Sequence, residues 1–134
     1  VTEMITGLDL VEWQLRVAAG LPMPCTQDEI SLAGHAIEAR IYAERPSSNF
    51  LPGSGHVMHL REPLPRGNTI AGPELRSTEA GVAVRIDSGI AEGDEVSVHY
   101  DPMLAKLIVR APDRLKACAR LHEALGAWQT VGLD

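Results

Sequence analysis

Apolar and polar residues alternate without a break through "GHAIEARIYAE", Gly34 to Glu44. His35, Ile37, Ala39, Ile41 and Ala43 share one parity; Ala36, Glu38, Arg40, Tyr42 and Glu44 share the other. Period two predicts a half-buried strand over about 34–44, with one face packed and the other carrying Arg40 between Glu38 and Tyr42. Before it, "LVEWQLRVAAG" has a helical period, with Leu10, Trp13 and Val17 on one face. Asp9 and Glu12 have capping-box spacing and Gly20 suits the position after the last turn, so a helix is expected over about 9–19. Thr26 and Glu29 repeat the cap spacing, but little helical pattern follows them.

Beyond the long strand, "RPSSNFLPGSG" reads as a loop and "HVMHL" as a short strand at 56–60. A polar, Pro- and Gly-rich loop is expected over 61–81. Three strand-like segments follow at 82–87, 95–100 and 105–111, the first two joined by a turn at Gly93-Asp94. A second helix is expected over 113–127, with Leu115, Cys118, Leu121, Leu125 and Trp128 as its apolar stripe. Strands grouped between two helices, rather than alternating with them, predict an α+β fold: an antiparallel β-rich domain flanked by an N-terminal and a C-terminal helix.

Composition narrows the partners. The 134 residues fit one domain, 1–134, and 45% apolar with 22% charged residues is ordinary for a globular chain. The net charge of −6 and the lack of a basic patch argue against nucleic acid, and no apolar run is long enough to span a membrane. With 2 Trp, 2 Tyr and 1 Phe, the core must rest on aliphatic side chains. Cys25 and Cys118 are far apart and read as reduced core thiols, which favours a reducing compartment. The chain opens at Val1 and ends at Asp134 without a polar tail, and is read as a piece of a longer protein.

Most chemical motifs are missing. There is no glycine-rich phosphate loop, no Rossmann fingerprint and no nucleophile elbow. His56 and His59 would point to opposite faces of a strand and so make a poor metal pair. Lys106 stands between Ala105 and Leu107 like the modified lysine of a biotin carrier, but Ala-Met-Lys-Met is absent and the lysine opens a strand instead of a hairpin turn. Arg40 has two readings. It is a surface ion-pair partner of Glu38 or Glu44, or a cation fixed over a place where negative charge develops. Asp101-Pro102, between two apolar strands, reads as a turn cap.

Taken together, "VTEMITGLDLVEWQLRVAAG", "GHAIEARIYAE", "FLPGSG" and "EGDEVSVHYDPMLAKLIV" resemble the C-terminal domain of biotin carboxylase, in that family's order and over nearly the whole chain. "WQL", "HYDPM" and "AKLIV" look most like the biotin-containing subunits of 3-methylcrotonyl-CoA carboxylases, enzymes of leucine degradation; propionyl-, acetyl- and geranyl-CoA carboxylases also remain. The resemblance implies a ligase that carboxylates biotin from bicarbonate with ATP and Mg (or Mn). It implies that Arg40 stabilises the enolate on the ureido oxygen of biotin. Glu38, by inference, orients Arg40. Arg85 and Asp101 would lie at or near a homodimer contact, with intradomain ion pairing as the other reading.

The resemblance also implies partners: an ATP-grasp region, a biotin carrier domain and a carboxyltransferase subunit. The family's catalytic glutamate and metal ligands precede "VTEM", so this chain alone is expected to be inactive, with no cofactor of its own. A bacterial cytoplasm is the expected compartment and the mitochondrial matrix the alternative. A competing reading is a β-rich binding or scaffold module without catalytic role.

Overall fold

The computed structural model describes residues 1–63 and 83–133. Three helices and eight strands are described: α1 (Thr2–Thr6), α2 (Leu10–Ala18), β1 (His35–Tyr42), β2 (Glu44–Arg45), β3 (Leu51–Pro52), β4 (Gly55–Arg61), β5 (Ala83–Ser88), β6 (Glu95–Val96), β7 (Met103–Ala111), α3 (Arg114–Ala127) and β8 (Gln129–Leu133). They form the expected antiparallel α+β fold.

The principal sheet has the order β1-β7-β5, antiparallel throughout. Its middle strand, "MLAKLIVRA", is a nearly continuous apolar run, as a strand buried on both faces requires. Leu104, Ala105, Leu107, Ile108, Val109 and Ala111 are all buried. On one face Leu107, Val109 and Val84 pack with Ala124 of α3, and Ile37, Ile86 and Leu121 join them. On the other face Ile108, Ala83 and Ala36 pack under Met4 of α1, whose side chain is 3% exposed. The alternation read in β1 therefore holds: Ile37 faces α3, while Glu38 and Arg40 face the other way.

Two small sheets complete the domain. β2 pairs with β3, and β4 lies between β6 and β8. The expected strand over 95–100 shrinks to Glu95–Val96, because β4 begins at Gly55, the partner of Val96. Residues 97–100 have no strand opposite them, and Tyr100 is exposed. Most of the expected 61–81 loop falls outside the described residues; Arg61 is the last residue of β4.

The helices correct the sequence reading in three places. Asp9 caps α2, its carboxylate accepting the Glu12 N–H at 2.9 Å. Yet no residue of α2 is buried, and Val11, Leu15 and Val17 are exposed. α1 is too short to show a helical period in sequence. In α3 the buried residues are Ala117 and Ala124, while Leu115 is 82% exposed and Leu125 and Cys118 are also exposed. Small residues let the helix axis approach the sheet, so the packed face joins Ala117 and Ala124 to Leu121 and leaves Leu115 and Leu125 outside it. Both cysteines are free, but neither is buried.

Candidate active site

Strand register brings the site's charged residues together. In an antiparallel pair, residues directly opposite each other project to the same face. Arg40 of β1 is opposite Lys106 of β7, and Lys106 is opposite Asp87 of β5. One row along, Glu38 is opposite Ile108, and Ile108 is opposite Arg85. Glu38, Arg40, Lys106, Asp87 and Arg85 thus share the sheet face away from α3. α1 covers the adjoining end of that face through Met4, which leaves the Arg40 end open.

Arg40 is 57% exposed and donates from Nε to Glu38 Oε1 at 3.1 Å. The bond joins residues two apart on one strand, so the backbone puts both side chains on the same face at a fixed spacing. The Tyr42 hydroxyl, and then Glu38, hold the guanidinium above its ordinary pKa. The group is a permanent cation on an ordered strand at an open surface, the form that a preorganised site for developing negative charge needs. Glu44, the other partner considered for Arg40, lies in β2 beyond Ala43.

Arg85 sits deeper in a network. Its Nε donates to Asp87 Oδ1 at 2.7 Å and its Nη1 to Glu3 Oε2 of α1 at 2.6 Å. Asp87, and then Glu3, raise its pKa, against a lowering by partial burial. Asp87 also reaches Lys106 Nζ at 3.6 Å. Asp101 stands apart from this face. It is exposed, and its Oδ1 accepts the Met103 N–H at 2.8 Å, which shapes the entry into β7. The structure therefore brings Glu38, Arg40 and Arg85 onto one face and leaves Asp101 in a local turn. Sequence reasoning missed Glu3, Asp87 and Lys106 as members of this face. For Lys106 a signal existed: it is a charge inside an otherwise buried apolar run.

His56 and His59 both lie on β4, three residues apart; His56 is opposite Glu95, and His59 Nδ1 approaches Glu92 at 2.9 Å. Among the described residues no group of three or more His, Cys, Asp or Glu side chains is placed to hold a metal ion. No described helix is long and apolar enough to cross a membrane.

Residues 38–134 match the biotin carboxylase C-terminal domain. The chain belongs to that family. It is 53% identical over 133 residues to the methylcrotonoyl-CoA carboxylase alpha subunit, mitochondrial, of Rattus norvegicus, covering 99% of this chain and 16% of that protein. It is 46% identical to a biotin carboxylase of Halalkalibacterium halodurans, covering 99% of this chain and 26% of that one. Among solved structures it is similar to the biotin carboxylase domain dimer of Hydrogenobacter thermophilus 2-oxoglutarate carboxylase, in complex with MgADP, ADP and bicarbonate. There the TM-score is 0.83 and the identity 35%, over 100% of this chain and 26% of that one. This biotin carboxylase C-terminal domain thus spans between a sixth and about a quarter of these proteins.

Proposed function

We propose that this domain works within a complete biotin carboxylase of the methylcrotonoyl-CoA carboxylase type, where Arg40 supplies the cation for carboxylation of biotin. The observation that carries the reading is the Arg40–Glu38 pair, fixed on β1 at the open end of the principal sheet. Biotin is the substrate of this half-reaction. Its ureido oxygen gains negative charge as the neighbouring nitrogen loses its proton, and a planar guanidinium meets such an oxygen with two N–H donors. Glu38 holds the Nε edge and so fixes the plane of the fork.

ATP and Mg (or Mn) are not given ligands here. The described residues form neither a phosphate-cradling loop nor a cluster of metal-binding carboxylates. These groups belong to the ATP-grasp region, with the carrier domain and the carboxyltransferase subunit as further partners. The domain by itself should be inactive, and calorimetric titration of it with MgATP should give no saturable heat. A homodimer contact through Arg85 and Asp101 is part of the proposal. Arg85 then reaches it through the open part of a side chain already paired to Glu3 and Asp87. Of the two compartments, the mitochondrial names among the relatives support the matrix.

The test is Arg40→Ala in the complete enzyme, with biotin carboxylation and bicarbonate-dependent ATP cleavage measured side by side. Loss of one preorganised donor lowers kcat about 10²–10³-fold. Carboxylation should fall by that factor while ATP cleavage persists. Equal carboxylation by variant and parent would return Arg40 to a surface ion pair.

A further inference from the structure

The charged face has an order that the function above does not use. From α1 across the sheet the side chains run Glu3, Arg85, Asp87, Lys106, Arg40, Glu38. Signs alternate along this series except at one step, where Lys106 stands directly opposite Arg40. Like charges directly opposite each other weaken a sheet, and a central strand is the costlier place for a lysine. β7 carries this one charge between Leu104 and Val109, in a run that is otherwise buried. Lys106 is also the lysine whose surroundings exclude it as a biotin attachment point. Its side chain is 38% exposed, and its ammonium leans to Asp87 at 3.6 Å, on the side away from Arg40.

We propose that Lys106 is a positioning residue for Arg40: with its ammonium drawn to Asp87, it puts a cation and no acceptor on the strand beside Arg40, and so keeps the guanidinium off the middle of the sheet, on the Glu38 side, where a developing anion can meet it. This inference rests on the assignment of Arg40 given above. A carboxylate or neutral acceptor at position 106 would draw the fork down across β7, where its N–H groups would already be engaged. A lysine there cannot accept a hydrogen bond from it. The two adjacent cations reach their lowest energy when an anion arrives, so the arrangement favours the charged state of the reaction over the neutral substrate.

The test uses the complete enzyme and four variants: Lys106→Gln, Lys106→Arg, Arg40→Ala and the double variant Lys106→Gln/Arg40→Ala. Lys106→Gln should lower kcat for biotin carboxylation about tenfold, the scale on which neighbouring charges couple. The KM for biotin and the rate of bicarbonate-dependent ATP cleavage should stay within about twofold. Lys106→Arg should recover most of the loss. In the Arg40→Ala background, Lys106→Gln should cost nothing further, because the residue it positions is gone. A merely structural lysine would cost the same factor in both backgrounds, and that result overturns the proposal, as does parent-like carboxylation by Lys106→Gln. If Lys106→Gln fails to fold, Lys106→Met, which keeps the apolar stem, is read in the same way. Parent-like carboxylation by Arg40→Ala would overturn the reading of Arg40 and this inference with it. Loss in Arg40→Ala but not at position 106 overturns this inference alone.

Discussion

Glu3 of α1 and Arg85 of β5 meet at 2.6 Å across 82 residues of sequence. The other oxygen of the same carboxylate accepts the Leu10 N–H at 2.9 Å, at the start of α2. One side chain thus ties the first two helices to the edge strand of the principal sheet. Both partners are partly exposed, so solvent screens the ion pair to about 1 kcal/mol or less. Glu3→Gln should lose that much stability and keep an acceptor for Leu10. Glu3→Ala should lose about 1 kcal/mol more, because the Leu10 N–H then loses its partner. Urea unfolding of the two variants separates the terms; equal losses would show that the Leu10 bond contributes nothing.

Gly132 brings β8 against β4. Its φ of 104° lies in the region that favours glycine, and a Cβ there would run into the His56 carbonyl oxygen and meet the Met58 side chain at 2.8 Å. Neither strand backbone can retreat without giving up the pairing of His59 with Val131. Gly132→Ala should therefore destabilise the domain by at least about 2 kcal/mol. Gly126→Ala, where a Cβ meets nothing within 4 Å, is the control and should be neutral or stabilising. Comparable thermal midpoints for both variants would contradict the close approach.

Where one physical signal dominates, the sequence was enough. β1 shows its period because its two faces meet different surroundings, α3 below and an open charged end above. Asp9 announces α2 because a cap is a local bond. The packed face of α3 was legible only at Leu121. Leu115 and Leu125 outrank Ala117 and Ala124 in hydropathy, but the closeness of the sheet selects the small residues. α1 and β8 are short, and β8 forms only because β4 offers it an edge. Arg40 stood out in sequence as an arginine on an ordered strand. Its neighbours Lys106 and Asp87 come from strands 66 and 47 residues away, and register alone brings them together.

Of the carboxylates that accept backbone N–H groups, Glu29 and Asp113 are held below their ordinary pKa by that bond. Asp113 accepts the Lys116 N–H at the start of α3, and Glu29 accepts the Thr26 N–H. A carboxylate depressed in the folded state contributes its full stability above its unfolded pKa and loses it as pH falls through the folded value. Stability should therefore decline from about pH 4 downward. Asp113→Asn keeps an acceptor at the cap but cannot titrate. Its thermal midpoint should approach that of the parent as pH is lowered from 5 to 3, as judged against the ordinary carboxylate range. A constant gap between the two curves would mean that Asp113 does not contribute to the acid loss.

Arg40 and Glu38 are expected to separate charge from geometry in the complete enzyme. Arg40→Lys keeps a cation but loses the planar fork, and its ammonium sits nearer the backbone, so it should recover only part of the carboxylation lost in Arg40→Ala. Glu38→Gln keeps an acceptor for the Arg40 Nε, at the position now 3.1 Å away, but removes the negative charge. It should cost less than about tenfold in kcat, since the fork keeps its plane. Glu38→Ala removes the acceptor as well and frees the guanidinium to rotate, so its loss should fall between those of Glu38→Gln and Arg40→Ala. Folding should change little in this series, because Arg40 is exposed and Glu38 is not buried. The ranking Arg40→Ala, Glu38→Ala, Glu38→Gln, from largest loss to smallest, is the outcome to check by steady-state carboxylation rates. Equal losses for Glu38→Gln and Glu38→Ala would assign Glu38 a purely electrostatic part and remove its role in holding the fork.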